Sequence, residues 1–449
     1  MNYEAVRTFL KEADILPSKQ MGQNFLTDET VCQKMVEQLQ ICPEDTVVEV
    51  GPGAGSITQH ILASDRLRKL ILIEFDERLA DQLLRSLGED ERVTVIHADA
   101  AQFDTRLLFA QQPVKLIGNL PFSAGGAIMK NFLDAPSPVS RAVLMLQKEV
   151  VDRLTAVPRT KDYGVLSVRM QSRWDISAGQ IVPPEALHPR PRIDSAITVL
   201  TPRKKQLPVY DLKLFDSLLR RAFSQRRKQM AKQMPDHLEW SEAIKDLDIS
   251  PTARAEELSL ELWVELTRRY DDHPLKDTPQ KGSELFDVVD ENDVPVRTET
   301  REVVHRDDLL HRAVHIFIFN KHREMFLQKR SRLKDKCPSL WDSSAAGHLD
   351  AGGSYEETAT RELKEELDIE VPLNELAYIT PSENTGWEFI KVFGGRHDGA
   401  VRYPASEVET GMWLGMSELQ TWVTQRPQDF APGFIECWIA FTEKLEIGR

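Results

Sequence analysis

Apolar residues in the first part of the chain fall in short runs that alternate with longer amphipathic stretches. β-branched residues dominate the runs, which predicts strands, whereas the stretches repeat apolar residues with helical spacing. The predicted strands are 47–50, 70–74, 93–97, 114–118 and 142–146, and the predicted helices include 30–39 and 78–87. Strands that alternate with helices are typical of parallel βαβ units, so this part is predicted to be an open α/β sheet.

The pattern changes twice further along the chain. Helical spacing dominates residues 203–270 and predicts a small helical domain. Residues 271–283 contain two prolines and a glycine but no aromatic residue, and we interpret them as a linker. Residues 284–449 combine strand-like runs with one strongly helical segment. The predicted elements after residue 202 are helices 212–223, 258–269 and 354–367 and strands 285–289, 314–319 and 325–328.

Composition indicates a folded protein of the reducing cytoplasm. The chain has 449 residues, 41% hydrophobic and 29% charged, which is too apolar for a disordered chain. No apolar run approaches the ~18 residues of a membrane span. Glu4, Glu12 and Asp14 interrupt the amino terminus, which argues against a secretory signal. The four cysteines are scattered, with no CxxC pair, so neither a zinc site nor a disulfide framework is expected.

The net charge of −14 is unevenly distributed. Residues 1–270 carry −1 and residues 271–449 carry −13, while residues 190–232 hold 12 basic and 3 acidic side chains. Such a surplus can contact RNA phosphates, although a charge run can also be a solvated helix face. The candidate RNA contacts in this segment are Arg190, Arg192, Arg226, Arg227 and Lys228.

A glycine-rich turn follows the first predicted strand, at residues 51–55. Glycines there let the backbone approach a ligand at the carboxyl edge of the sheet, although a plain tight turn has the same composition. Glu74 ends the next strand, where it can accept both ribose hydroxyls, and Asp99 follows the third, where it can accept from an adenine amino group. These residues favour a nucleoside cofactor, but a nicotinamide cofactor would use the same edge.

The chemistry is indicated by Asn119, Leu120, Pro121 and Phe122, after the fourth strand. The exocyclic nitrogen of adenine is a poor nucleophile because its lone pair is delocalised. The Asn119 carbonyl, together with the backbone carbonyl of Leu120 or Pro121, can accept the two amino hydrogens and direct the lone pair toward an electrophilic methyl. Phe122 offers a stacking face for a base removed from its stack. A proline turn with a core phenylalanine is the alternative interpretation.

Residues from about 18 to 270 resemble the ribosomal RNA small-subunit adenine dimethyltransferase family. The matching stretches are 19–26, 51–55, 119–122, 145–150, 161–164, 189–195 and 222–228. The resemblance implies a Rossmann-like class I methyltransferase domain over residues 1–202 and a small helical rRNA-binding domain over 203–270. It also implies transfer of four methyl groups from S-adenosylmethionine to N6 of two adjacent adenosines, in a hairpin near the 3′ end of 16S rRNA, during small-subunit biogenesis.

The family's cofactor contacts carry over onto six residues that match in type: Asn24, Leu26, Gly51, Glu74, Asp99 and Asn119. The target-base contacts match less well. Phe122 stands where the family usually has Tyr, and Leu187 where similar sequences have Phe. If residue 187 stacks on the adenine, a leucine forfeits part of a stacking energy of ~1–3 kcal/mol. Residues 123–126 also match the family's usual sequence less closely.

Three glutamates lie on one face of the predicted helix at 354–367. Glu362, Glu365 and Glu366 are spaced at i, i+3 and i+4, and their like charges favour a divalent cation such as Mg²⁺, although a solvated acidic face is the alternative. Together with Gly347 and Arg361 they resemble the box of the Nudix hydrolase family, over residues 284 to about 445. The resemblance implies an α+β Nudix domain that hydrolyses a nucleoside-diphosphate-linked substrate.

Two positions depart from the Nudix box: Gly353 stands where it has Glu, with Glu356 and Glu357 nearby, and Asp368 where it has Gly. His305, His311 and His348 resemble the branch that includes isopentenyl-diphosphate isomerase. Ala346 replaces the cysteine of that isomerase, so isomerase activity is not expected. The three histidines are either metal ligands or ordinary core and surface residues.

The sequence therefore predicts a cytoplasmic fusion of an rRNA adenine N6,N6-dimethyltransferase, acting on the immature small ribosomal subunit, with a Nudix-type domain. Two alternatives stay open. The chain could be a ribosome-assembly binding factor with weak methyltransferase activity, or primarily a Nudix pyrophosphohydrolase that its front domain delivers to RNA.

Overall fold

The computed structural model describes residues 3–12, 15, 17, 23–273 and 280–447. Residues 274–279 of the predicted linker and residues 19–22 of the first matching stretch lie outside this description. The chain divides into two units, one of residues 1–208 with 212–270 and the other of residues 271–449 with 209–211. We call them the front unit and the back unit. The predicted domain boundaries at 202/203 and 283/284 stay predictions.

The front unit is built on a seven-stranded sheet. Its elements, in chain order, are α1 (Tyr3–Glu12), β1 (Phe25–Leu26), α2 (Glu29–Leu39), β2 (Thr46–Val50), α3 (Thr58–Leu62), β3 (Lys69–Glu74), α4 (Glu77–Leu87), β4 (Val93–His97), β5 (Val114–Asn119), α5 (Gly125–Leu133), β6 (Val139–Gln147), α6 (Lys148–Leu154), α7 (Val165–Gln171), β7 (Trp174–Val182), β8 (Leu187–His188), β9 (Ser195–Pro202), α8 (Leu212–Phe223), α9 (Trp240–Ala243) and α10 (Leu260–Arg269). Short 3-10 turns lie at Thr105–Gln111, Pro184–Ala186, Met230–Lys232 and Ala255–Glu257.

The sheet has the order β4-β3-β2-β5-β6-β9-β7. The pairings from β4 to β6 are parallel, and β9 pairs antiparallel with both β6 and β7. Strand β2 lies in the interior of the sheet, between β3 and β5, and is buried along its whole length, as expected for a parallel strand covered on both faces. The strand order reverses between β2 and β5, so the carboxyl ends of β2, β3 and β5 open a crevice at one edge. The predicted α/β sheet is confirmed.

The predicted helices of the front unit are present. Ser259 caps α10 by accepting a hydrogen bond from the Leu262 N–H, so the helix begins two residues later than predicted. Strands β7 and β9 were not predicted. Strand β7 is exposed along most of its length and lacks an apolar run, so its pairing with β9 is what defines it.

The back unit is a mixed α+β fold. Its elements are β10 (Leu285–Val289), β11 (Pro295–Thr300), α11 (Arg301–Arg306), β12 (His311–Phe319), β13 (Glu324–Arg330), β14 (Trp341–Asp342), β15 (Ala345–His348), α12 (Tyr355–Leu367), β16 (Asn374–Ile379), β17 (Glu388–Arg396), β18 (Val408–Gly415), α13 (Met416–Gln425) and α14 (Pro432–Ile447), with a 3-10 turn at Pro427–Asp429.

Strand β12 is the centre of the back unit. It pairs in parallel with β17 and antiparallel with β13 and β15. Its alternate residues Val314, Ile316 and Ile318 share a buried cluster with Leu363 of α12. On the other face Phe317 packs on Trp438 of α14, with ring centroids 6.4 Å apart. The contacts of Leu363 with β12 hold α12, which carries the three candidate glutamate ligands, against the sheet.

Candidate active sites

A cavity of about 330 Å³ lies at the carboxyl ends of β2, β3 and β5. The glycine-rich turn forms one wall, and Gly51, Gly53 and Gly55 all have positive φ angles, between 56° and 83°. A Cβ on Gly53 would lie 2.9 Å from the Phe25 ring, so this turn requires glycine for space as well as for conformation. The structure brings all the predicted cofactor and catalytic residues to this cavity: Asn24, Leu26, Gly51, Glu74, Asp99, Asn119, Leu120, Pro121 and Phe122.

The cavity walls fit a polar nucleoside ligand. The Ser56 Oγ is buried and has no hydrogen-bond partner among the described residues, although Ser56 lines the cavity. Asp99 is half-buried and accepts from the Ala101 N–H at 2.9 Å. A buried polar atom without a partner is costly, so the Ser56 hydroxyl is suited to a ligand that supplies one.

Glu74 is almost fully buried and holds the glycine-rich turn. Its Oε2 accepts from the Gly53 N–H at 3.0 Å, and its Oε1 accepts from the N–H groups of Phe75 and Asp76 at 2.9 and 3.0 Å. Burial raises the pKa of Glu74, and these backbone donors oppose the increase. A carboxylate has about four acceptor positions, which leaves capacity for a ribose hydroxyl.

Sequence reasoning missed Glu49, which also lines the cavity. It is 1% exposed, and its Oε2 accepts from the Thr58 hydroxyl at 2.7 Å. Burial raises the pKa of Glu49 to about 8. The available signal was a glutamate in the middle of an otherwise apolar strand.

Asn119 is held by the amino-terminal segment. Its Nδ2 donates to the Asn24 carbonyl oxygen at 2.6 Å, so Oδ1 is the amide atom that can accept from a bound amine. The Pro121 carbonyl accepts from the Gly125 and Ala124 N–H groups at 2.8 and 3.1 Å, at the start of α5. Of the two predicted carbonyl partners, Leu120 is therefore the better candidate.

The predicted RNA contacts divide into buried and exposed groups. Leu187 is 3% exposed, packs in the core with Leu26 and does not belong to the described residues that line the cavity. Arg226 donates to Glu256 and to the carbonyls of Thr160 and Lys161, at 2.5 to 2.9 Å. The exposed members are Arg190, Arg192, Arg227 and Lys228.

In the back unit, the three predicted metal ligands line a second cavity, of about 560 Å³. Glu366 is buried, and its oxygens accept from Lys334 Nζ at 3.2 Å, Gln328 Nε2 at 3.0 Å and the Ala346 N–H at 3.2 Å. Glu362 lies 3.0 Å from Arg361. Glu365 is exposed and pairs with the same arginine at 3.2 Å.

Glu362 is the carboxylate with the least compensation. Burial first, and then the charge of the neighbouring Glu366, raise its pKa to about 8, against the influence of Arg361. A Cβ on Gly347 would lie 2.1 Å from the Glu362 Cδ, so glycine at 347 makes room for this carboxylate. A divalent cation would remove the unfavourable charge, so the donor set fits Mg²⁺.

The structure accounts for one departure from the Nudix box. Asp368 ends α12 in the left-handed conformation, with φ 57° and ψ 37°, which is the geometry that favours glycine. Aspartate tolerates this region better than most residues, and Lys364 Nζ pairs with its carboxylate at 2.7 Å. Gly353 donates its N–H to the Asp350 carbonyl in the turn before the helix.

Glu356 and Glu357 do not belong to the described residues that line the box cavity. The Ser354 hydroxyl donates to the Glu357 carboxylate at 2.8 Å, so Glu357 serves the helix cap.

A second polar group lies beside the box: His305, His311, His348 and Glu388 place one ligand atom each within 4.8 Å of one another. Sequence reasoning missed Glu388, whose Oε1 lies 2.9 Å from His348 Nε2 and 3.5 Å from His311 Nε2. Burial lowers the pKa of His305 to about 3. Glu388 begins β17, next to the His311 end of β12, and only strand pairing brings these residues together.

Among the described residues, each helix is too short or too polar to cross a bilayer. The front unit is similar to ribosomal RNA small subunit methyltransferase A of Latilactobacillus sakei, with 35% identity over 288 residues, 61% of this chain and 96% of the relative. The same-named protein of Leptothrix cholodnii is 39% identical over 254 residues, 56% of this chain and 91% of the relative. A dimethyladenosine transferase structure from Plasmodium falciparum is 20% identical, covers 54% of this chain and 95% of its own, and has a TM-score of 0.45.

The family model described as ribosomal RNA adenine dimethylase matches residues 17–272, and the NUDIX domain model matches residues 309–434. The first family implies an rRNA substrate and S-adenosylmethionine as methyl donor. This chain therefore belongs to the ribosomal RNA adenine dimethylase family and carries a NUDIX domain later in its sequence.

Proposed function

We propose that the front unit dimethylates N6 of two adjacent adenosines, in a hairpin near the 3′ end of 16S rRNA, during biogenesis of the small ribosomal subunit. The observation that carries this proposal is the position of Asn119, at the wall of the cavity and with its amide nitrogen already engaged by Asn24. The names of the similar methyltransferases support the small subunit as the target. This substrate is the reason to expect the chain in the cytoplasm.

The residues of the cavity have different roles in methyl transfer. Asn24, Leu26, Gly51, Glu74 and Asp99 hold S-adenosylmethionine, which supplies an electrophilic methyl group. The Asn119 Oδ1 and the Leu120 carbonyl would accept hydrogen bonds from the adenine amino group and so direct its lone pair to the methyl. Phe122 stacks on the base. Asn119 thus orients and polarises the nucleophile without removing a proton in advance.

Asn119→Ala should abolish methylation of immature small subunits and leave the dissociation constant for S-adenosylmethionine within about tenfold of the wild type, because one hydrogen bond to charged or polar ligands is worth ~1 kcal/mol. Mass analysis of the rRNA and calorimetry measure the two effects. Wild-type methylation by the variant would contradict the mechanism. Cofactor binding by the wild-type chain without methylated rRNA would favour the assembly-factor alternative.

We also propose that the back unit hydrolyses a nucleoside-diphosphate-linked substrate with Mg²⁺ held by Glu362, Glu365 and Glu366. Support comes from the largely buried Glu362 carboxylate, which lies in one cavity with Glu366 and whose pKa stays raised although Arg361 lies 3.0 Å away. The cation supplies charge neutralisation for a diphosphate, while Arg361 and Lys334 keep the ligand carboxylates in position.

Glu365→Gln should lower the formation of nucleoside monophosphate from nucleoside-diphosphate-linked compounds by at least about 100-fold, because it removes a charged ligand at the exposed end of the site. Glu370→Gln is the matched control, since Glu370 is an exposed carboxylate paired only with Lys364 in the described contacts. Equal hydrolysis by wild type and Glu365→Gln would contradict the proposed metal site.

The group of three histidines and Glu388 favours a second cation, of a kind that prefers imidazole ligands. The His311 ring is 1% exposed; its Nδ1 lies 2.8 Å from the Leu309 carbonyl, and its Nε2 has no hydrogen-bond partner of standard geometry among the described residues. Metal analysis of the purified chain should find zinc, manganese or iron in the wild type and less in His311→Ala. Equal metal content would contradict this second site.

A further inference from the structure

A two-stranded ribbon joins the amino-terminal segment to the segment that precedes the exposed arginines. Strand β1 pairs antiparallel with β8, with Phe25 opposite His188 and Leu26 opposite Leu187. Thr27 extends the ribbon, because its N–H and its hydroxyl both donate to the Ala186 carbonyl, at 2.8 and 3.0 Å. Two further hydrogen bonds therefore hold the ribbon at its Leu26–Leu187 end.

One end of the ribbon reaches Asn119. The residue before β1 is Asn24, whose carbonyl oxygen accepts from the Asn119 Nδ2 at 2.6 Å. The carbonyl and nitrogen of an amide lie at fixed positions on one planar group, so a bond to the nitrogen sets where the carbonyl oxygen points. Displacement of Asn24 would therefore turn the atom that accepts the adenine amino hydrogens.

The same ribbon also contacts the other two parts of the site. The Phe25 ring lies over the glycine-rich turn, so close that a Cβ on Gly53 would overlap it. On the β8 side, Arg190 and Arg192 follow His188 by two and four residues and are exposed, and Arg190 forms a solvent-exposed ion pair with Glu185. Leu187 is buried in the same cluster as Leu26, but only Leu26 belongs to the described residues that line the cavity.

We propose that the β1–β8 ribbon positions Asn119: by fixing the Asn24 carbonyl it orients the Asn119 amide, and it links that orientation to the segment on which RNA phosphates bind. This inference rests on the proposed role of Asn119 as acceptor for the adenine amine. Thr27 and Leu187 are positioning residues, since they act on the reaction through Asn24 and Asn119. RNA bound at Arg190 and Arg192 thereby aligns the catalytic amide.

Thr27→Val removes one hydrogen bond of the ribbon and keeps the backbone N–H. We expect kcat for methylation of small subunits to fall about fivefold, which is the scale of one neutral hydrogen bond, while the Kd for S-adenosylmethionine stays within about twofold. Thr198→Val is the matched control, because Thr198 makes the same kind of bond, to the Ser177 carbonyl at 3.0 Å, between β9 and β7. The control should keep the wild-type kcat.

A double-mutant cycle identifies the route of the effect. Asn119→Asp keeps an acceptor for the amine but loses the N–H that donates to Asn24, so adding Thr27→Val should then cause no further loss of kcat. Multiplicative losses in the double variant, or an equal loss in Thr198→Val, overturn the inference. Absence of methylation by the wild-type chain overturns the proposed function instead.

A second measurement does not require turnover. In the full chain labelled with ¹⁵N-asparagine, the Asn119 side-chain amide hydrogens should exchange with solvent faster in Thr27→Val than in the wild type and in Thr198→Val. Unchanged exchange overturns the inference even when RNA is not methylated.

Discussion

Two buried carboxyl groups, Glu49 and Glu362, have pKa values of about 8 for related but different reasons. Both are raised first by burial. The Thr58 hydroxyl then lowers the pKa of Glu49 and the charge of Glu74 raises it, whereas for Glu362 the charge of Glu366 raises the pKa and Arg361 lowers it. At Glu49 a protonated carboxyl group can keep a hydrogen bond with Thr58. At Glu362, beside Glu366, binding of a cation is favoured. Position in the fold thus separates a glutamate of the cofactor cavity from a glutamate of the metal site.

The first prediction at the residue scale concerns Glu49 and pH. The unfolded carboxyl ionises near its ordinary value of 4.5, whereas the folded group keeps its proton up to about pH 8. Between these values the folded state binds the additional proton, so the free energy of unfolding falls as pH rises, by at most about 1.4 kcal/mol per pH unit.

Glu49→Gln should remove this part of the pH dependence, and the variant should be more stable than the wild type at pH 8. Denaturant unfolding between pH 5 and 8 measures the difference, with the exposed Glu44→Gln as control. Parallel pH profiles for Glu49→Gln and the wild type would contradict the assignment.

At the scale of elements, the distance between α12 and β15 decides the geometry of the Nudix box. Leu363 and Leu367 pack on the core side of α12, which turns Glu362 and Glu366 toward β15. Gly347 on that strand leaves space for the Glu362 carboxylate. The helix periodicity alone places the glutamates on one face, and the strand opposite determines what they can contact.

Gly347→Ala tests this close approach. The new Cβ would overlap the end of the Glu362 side chain, which must move, while the backbone of the strand can stay in place. We expect a stable chain with at least about tenfold weaker Mn²⁺ binding at the box, because one of three anionic ligands is displaced. Electron paramagnetic resonance of Mn²⁺ measures the affinity. Wild-type affinity in Gly347→Ala would exclude Glu362 as a ligand.

At the scale of the whole molecule, the charge of −14 combines two different units. The front unit is nearly neutral and contains the basic segment 190–232, whereas the acidity of the chain lies mainly in the back unit. Within the basic segment, Arg226 is committed to Glu256 and two carbonyls, but Arg227 and Lys228 are exposed. Only the exposed cations are suited to phosphate contacts.

Arg227→Gln and Lys228→Gln should each reduce by about 1 the slope of log Kd for small-subunit rRNA against log salt concentration. Arg226→Gln should leave that slope nearly unchanged and lower the stability of the front unit instead. Filter binding over a salt series, with denaturation of the same variants, separates the two effects. A reduced slope in Arg226→Gln alone would reverse the assignment.

The local sequence pattern determined most of the secondary structure and the short motifs of this protein. The buried parallel strands, the helices and the glycine-rich turn follow from side-chain periodicity and composition, which act over a few residues. Asn119–Phe122 and the i, i+3, i+4 glutamates were also readable, since their chemistry depends on residue type at short spacing.

Tertiary structure decided the contacts between residues that are distant in sequence. Glu388 joins the histidines through the pairing of β12 with β17, and the Asn24 carbonyl that meets Asn119 directly precedes β1, which pairs with β8. Leu187 faces the core because its register with Leu26 directs it there. Strand register and helix packing are set by long-range contacts, and these determine which polar groups are buried, paired or turned toward a ligand.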